Sequence, residues 1–186
     1  YAIGTNSNFN RYSGTDQLDN SKRIDLSFDI NNNNFDSIIW QSYEFTNNSN
    51  YHYSQGNENK LSDVLGSINL HPENYQDTYI NYNFRYDPHK DYLKTQNIDA
   101  GYDNILGTYT LSYLDQKSKA DEIITSENET LNYRFESKKI FKYSTVLYYG
   151  LYDIKNSANT ETALKYSYFD ECFGVNIDFV RNSYYE

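Results

Sequence analysis

The chain has no methionine, a single cysteine and a single tryptophan, and only 38% of its 186 residues are hydrophobic. Without methionine there is no initiator, and no signal-peptide pattern begins at Tyr1, so the sequence is expected to start inside a longer protein. No stretch approaches the ~18 consecutive apolar residues of a membrane-crossing helix. That excludes helical spans only, because a membrane β-barrel carries a much weaker signal, alternating segments of ~10 residues separated by turns. Helical periodicity is also missing: the region 120–126 is short and highly charged. Positive charge is scarce, 16 Lys and Arg against 26 Asp and Glu, for a net charge of -10. Nucleic acid is therefore not expected as a partner, since phosphate binding needs clustered Lys and Arg. The acidity is spread along the chain, as on a solvated surface. The sequence also lacks a glycine-rich phosphate loop and a nucleophile elbow. No two carboxylates stand out as an acid/base pair. His52, His71 and His89 lie too far apart to suggest convergent metal ligands. The expectation is a protein that is not an enzyme and holds no metal or cofactor.

What the chain does have is 22 tyrosines and 10 phenylalanines, and disordered chains are poor in aromatics. Aromatics spaced through short alternating runs read as β structure. Ile24, Leu26, Phe28 and Ile30 alternate with Asp25, Ser27 and Asp29; Ile80, Tyr82, Phe84 and Tyr86 alternate with Asn81, Asn83 and Arg85. Asn-rich links such as 31–34 supply turns, because Asn tolerates the left-handed backbone conformation. Segments 22–31, 35–46, 61–71, 78–87, 92–103, 105–115, 129–138, 141–153, 160–172 and 173–182 read as about ten strands. They are mostly hairpin-linked and so antiparallel. The second is the least regular, because Ile38, Ile39 and Trp40 are contiguous. Links 47–60, 116–128 and 153–159 read as long, and 88–91, 139–140 and 171–172 as short.

Two architectures satisfy this alternation. In a soluble sandwich the apolar face points into a core; in a membrane barrel it points to lipid and the polar face lines a wet interior. The polar set Asp25, Asp29, Asn81, Asn83, Arg85, Asn132, Arg134, Glu136, Lys165, Asn176 and Asp178 suits either. Tyrosines near strand ends (Tyr86, Tyr92, Tyr102, Tyr113, Tyr152, Tyr168) resemble interfacial girdles. With the uneven link lengths, they favour an all-β, antiparallel up-and-down sheet from a large transmembrane barrel. On its polar face Arg85, Arg134 and Lys165, with Lys142, are candidates to meet anionic groups; pairing with neighbouring Asp and Glu is the plainer alternative. Taken alone, Cys172 reads as a buried or incidental thiol. Arg11 and Asp16 read as a charged pair around the Ser13-Gly14 breaker.

Two stretches resemble the LptD family of lipopolysaccharide-assembly outer-membrane proteins. The first carries Asn10, Arg11, Tyr12, Ser13, Gly14 and Asp16, similar to the family's Asn-Arg-aromatic-Ser-Gly-x-Asp segment. Gln17 stands where the family usually has Arg, and Asp19 to Arg23 match only approximately its acidic-Gly-x-Arg lead into the next strand. The second carries Tyr168, Asp170, Glu171, Cys172 and Phe173, followed by Arg181, similar to the near-terminal Tyr-x-Asp-Glu-Cys-Phe and its Arg. The resemblance covers nearly the whole chain. It implies that 1–186 is a C-terminal part of the barrel, without the periplasmic N-terminal jelly roll, the early strands and the last strand. It further implies a Gram-negative outer-membrane location and passage of lipopolysaccharide to the outer leaflet through a lateral opening. The partners it implies are lipopolysaccharide, a plug lipoprotein, outer-membrane lipid and, through the jelly roll, the periplasmic bridge proteins. Cys172 would form a disulfide with that N-terminal domain, and the oxidising periplasm permits such a bond. The segment around Arg11 and Asp16 would fold inward and contact the plug or neighbouring loops. The competing expectations are a porin-like pore and a soluble adhesin-like sandwich.

Overall fold

Alternating residues extend the backbone and send successive side chains to opposite sides, and the chain uses this pattern from end to end. The computed structural model describes residues 22–45, 60–72, 77–120, 123–138 and 143–183. The segment 10–16, His52 and Lys142 lie outside them. Ten strands run β1 (Arg23–Asn32), β2 (Phe35–Glu44), β3 (Val64–Leu70), β4 (Thr78–Asp87), β5 (Tyr92–Asp103), β6 (Gly107–Ala120), β7 (Ile123–Ser137), β8 (Ser144–Asp153), β9 (Ala158–Phe169) and β10 (Gly174–Asn182). They form one antiparallel up-and-down sheet in sequence order, left open between β1 and β10. Among the described residues there is no helix.

The links fall at two ends of the sheet. Links 33–34, 71–77, 104–106, 138–143 and 170–173 share the short-turn end; 45–63, 88–91, 121–122 and 154–157 share the long-link end. Three expectations are corrected here. The turn 88–91 is short but lies at the long-link end. The 153–159 link is no long loop, because β8 runs to Asp153 and β9 begins at Ala158. The charged 116–128 stretch is strand as well: β6 continues to Ala120 and β7 starts at Ile123, pairing along their whole length. β5 follows β6 only to Gln116, and β8 follows β7 only from Thr130, so the rest projects as a two-stranded arm. Charge hid this arm: most of its side chains are charged or polar, and its two isoleucines, Ile123 and Ile124, do not alternate.

Register assigns each residue to a face. Ile24, Leu26, Phe28 and Ile30 share theirs with Ile39, Ile68, Tyr82, Phe84, Ile98, Leu111, Tyr133, Tyr148, Leu164, Ile177 and Phe179. All eleven residues of the expected polar set fall on the other face. The irregular second strand resolves simply: Ile39 joins the apolar face, and Ile38 and Trp40 join the polar one. Where a glycine faces a ring, the ring lies across the strand. On the apolar face Phe84 covers Gly66 and Tyr133 covers Gly150, and a Cβ at either glycine would lie within 2.3 Å of the ring or its hydroxyl.

The sheet has no apolar core in the usual sense. Among the described residues the only buried hydrophobic side chains are Trp40, Leu65 and Ala163, and all three belong to the polar face. The apolar face is the exposed one: Leu26 is 68% accessible, Phe28 63% and Phe179 66%. No second layer of described residues covers it.

The apolar stripe also crosses the hydrogen-bonded rows obliquely. The row through Ser27, mid-stripe in β1, reaches β7 at Asn128. The row through Asp178, mid-stripe in β10, reaches it at Glu136. That drift of about eight residues is ~27 Å along the strand, over nine inter-strand steps of ~4.8 Å. The stripe is thus inclined to the rows by about 30°, near the strand tilt of a barrel crossing a flat slab. Replacing Gly150 by Val is expected to displace the Tyr133 ring and cost about 1–3 kcal/mol, read as a lower denaturant midpoint with the same cooperativity.

Candidate functional site

The polar face carries the chemistry. Its most buried element is a charge cluster near the long-link end, built on Asp63, which is fully buried just before β3. Asp63 accepts hydrogen bonds from Arg85 Nε and from Lys94 Nζ, the latter at 3.1 Å. Lys94 also reaches Asp87 at 2.8 Å. Two carboxylates and two cations thus neutralise one another, as burial requires. The neighbouring Ser62, also fully buried, fixes the chain's return from the long link. Its amide donates to Ser42 O and its Oγ accepts from Ser42 N, each at 2.8 Å.

Arg85 was foreseen on this face; Asp63, Asp87 and Lys94 were not. By plain alternation Lys94 belongs with Gln96 and Ile98 on the apolar face. A β-bulge opposite Arg85 and Tyr86 pairs Thr95 with Arg85 and Leu93 with Tyr86, and turns Lys94 to the polar side. Bulges re-aim a side chain in this way, and no residue in the stretch marks one in advance.

The other two candidate cations are also paired. Arg134 donates to Glu136 at 2.6 Å, and Lys165 lies 3.5 Å from Asp178 and over the Tyr149 ring. The structure therefore favours the plainer alternative for Arg85, Arg134 and Lys165, ion pairing within the face. His71 pairs with Asp36 at 3.0 Å and His89 with the Leu61 carbonyl at 3.0 Å. Among the described residues no group of three or more His, Cys, Asp or Glu is placed to hold a metal.

The second motif folds into one tight turn at the short-turn end. Asp170 accepts hydrogen bonds from the amides of Cys172 (2.9 Å) and Phe173 (2.7 Å) and from the Tyr168 hydroxyl (2.9 Å). These bonds, the Cys172 amide foremost, hold its carboxyl below the usual carboxylate range. The turn presents Glu171, Cys172 and Phe173 to solvent, with the Cys172 thiol free. Arg181 is not part of this group: it sits near the far end of β10, at the long-link side, opposite Thr162.

Beyond the apolar stripe, at the base of the β6–β7 arm, the same face turns charged. Lys117 bridges Asp115 (2.9 Å) and Glu127 (3.3 Å), and Tyr113 donates to Glu129 at 2.7 Å. The apolar stripe therefore ends there.

No family model matches this chain, and no curated protein matches it.

Two outcomes follow from this geometry. Asp63→Ala removes the buried carboxylate that Arg85 and Lys94 share, leaving Lys94 with Asp87, and is expected to cost about 2–3 kcal/mol. Replacing Asp63, Arg85, Asp87 and Lys94 together by apolar residues, so that no buried charge is left without its partner, is expected to cost less; denaturant midpoints measure both. The Asp170 turn is pH-dependent. Its depressed carboxyl contributes stability above the unfolded-state value, and that contribution is lost as pH falls through the lower folded value. Amide exchange at Cys172 and Phe173, compared with other turn amides, is expected to accelerate selectively under acid, and Asp170→Ala to abolish that selectivity.

Proposed function

We propose that this chain is part of a transmembrane outer-membrane β-barrel of the LptD type, working in the delivery of lipopolysaccharide to the outer leaflet. The observation that carries the reading is the exposed apolar face, unlayered, oblique to the hydrogen-bonded rows and bounded by charge at the arm. Water is a poor partner for so large a surface, because contiguous exposed apolar patches on soluble monomers rarely exceed a few hundred Å². A bilayer is the matching partner. The absence of a membrane-length apolar helix among the described residues does not bear on strands. On this reading the polar face lines the interior, next to the lipoprotein plug and the sugar part of the lipid. The chain needs no catalysis, and the jelly roll would connect it to the periplasmic bridge.

Cys172 supports the LptD reading over a porin-like pore. It is exposed in a four-residue turn at the end opposite the long 45–63 link and the projecting β6–β7 arm, and short turns mark the periplasmic side of such barrels. A thiol presented there is placed to pair with a domain below the membrane, whereas a passive pore has no use for it. A soluble sandwich would need a second layer over the apolar face.

Two measurements separate these readings. Phe28→Lys, on the apolar face, is expected to lower the stability of the bilayer-folded protein by about 2–4 kcal/mol, and Asp29→Lys, on the other face, by far less. Equal small effects, together with extraction into buffer without detergent, favour the soluble sandwich. In the full-length protein from intact cells, a mobility shift on reduction that Cys172→Ser removes supports the disulfide. An unchanged mobility supports the pore.

A further inference from the structure

The middle of the polar face differs from its two flanks. One hydrogen-bonded row runs Asn69, Asn81, Asp99, Ser112, Asn132; the next carries Ser67, Asn83 and Asn97. These are amides and hydroxyls, with a single carboxylate, Asp99, that accepts from Asn97. Beside them Tyr79, Asn81, Asp99, Thr110, Leu111 and Ser112 line an open concavity of about 480 Å³. Tyr79 forms one wall. Its ring lies across Gly101, where a Cβ would sit 2.1 Å from the ring, so only glycine lets the ring lie against the sheet. The tyrosine is 39% exposed.

The charges nearby do not suit an anion. On this face Arg85 and Lys94 hold Asp63 and Asp87, and Arg134 holds Glu136. A phosphate would have to displace a carboxylate from each. Side-chain amides and hydroxyls offer both donors and acceptors at fixed spacing, the match for vicinal hydroxyls. An aromatic ring face, negative in its quadrupole, attracts the C–H face of a pyranose.

We infer that the Tyr79 concavity is a binding subsite for uncharged saccharide. Tyr79 is the stacking platform, and Asn81, Asp99 and Ser112 are the hydrogen-bonding partners. The inference rests on the polar face being the barrel interior, and it specifies that the sugar, not the phosphate, is the part of the ligand held here.

The test uses the full chain folded in lipid nanodiscs, with retention in the membrane fraction until detergent is added as a separate check of the barrel reading. Saturation-transfer NMR with maltohexaose and chitohexaose is expected to show saturable binding. Tyr79→Ala is expected to weaken it by about tenfold, Tyr79→Phe to retain it, and 20 mM-scale inorganic phosphate not to compete (roughly the weak-binding range). Membrane-retained protein that binds phosphate but neither sugar, or that binds sugar equally well as Tyr79→Ala, overturns the subsite and leaves the barrel standing. Protein released without detergent overturns both.

Discussion

A single-layer sheet cannot bury its apolar face within itself, and the rest of this structure depends on that constraint. Ten strands pair in order, each hydrogen-bonded to its neighbours in the sheet. The hydrophobic side chains, though, have nothing of the protein above them among the described residues. Apolar burial is the main driving force for folding. Here the described residues do not supply it, and on the proposed reading the surrounding lipid does. The composition follows: a chain that needs no dry core can fold with few aliphatic residues and many tyrosines, which place a hydroxyl at a boundary and a ring on the sheet.

The opposite face solves a different problem. Its cations Arg85, Lys94, Arg134 and Lys165 are matched in place, the first two by Asp63 and Asp87, the others by Glu136 and Asp178. The deepest of these groups lies where the chain returns from the 45–63 link, and the buried Ser62 ties that return to β2. The wall is therefore polar without being strongly cationic. Between the paired charges it leaves a band of amides and one flat tyrosine. On the proposed reading the two surfaces meet different solvents. The oblique apolar stripe fixes how the strands would incline in a slab.

Much of this was legible in the sequence, because a period of two is the whole grammar of such a sheet. Ile24 to Ile30 and Ile80 to Tyr86 declared their faces by alternation alone, and so did the polar set. What stayed hidden had local causes. The bulge that turns Lys94 arises from pairing between β4 and β5 and has no composition signal. The arm at 116–128 looked like a loop because its charged and polar residues show no apolar alternation; its two isoleucines, Ile123 and Ile124, are adjacent. Asp63 carried no signal of its own, since its pairing depends on Arg85 of β4 and Lys94 of β5. The turn at Cys172 was recognisable from its motif, but the role of Asp170 in holding it emerges only from the hydrogen bonds.

The central claim is that the two faces meet different solvents. The most direct measurement places single cysteines at 80 to 86 along β4, in a Cys172→Ser chain folded in bilayers. Each is spin-labelled and its collision rate read with oxygen and with a water-soluble nickel complex. The account predicts a strict period of two: oxygen contact at Ile80, Tyr82, Phe84 and Tyr86, nickel contact at Asn81, Asn83 and Arg85. Equal nickel access at both sets would contradict it.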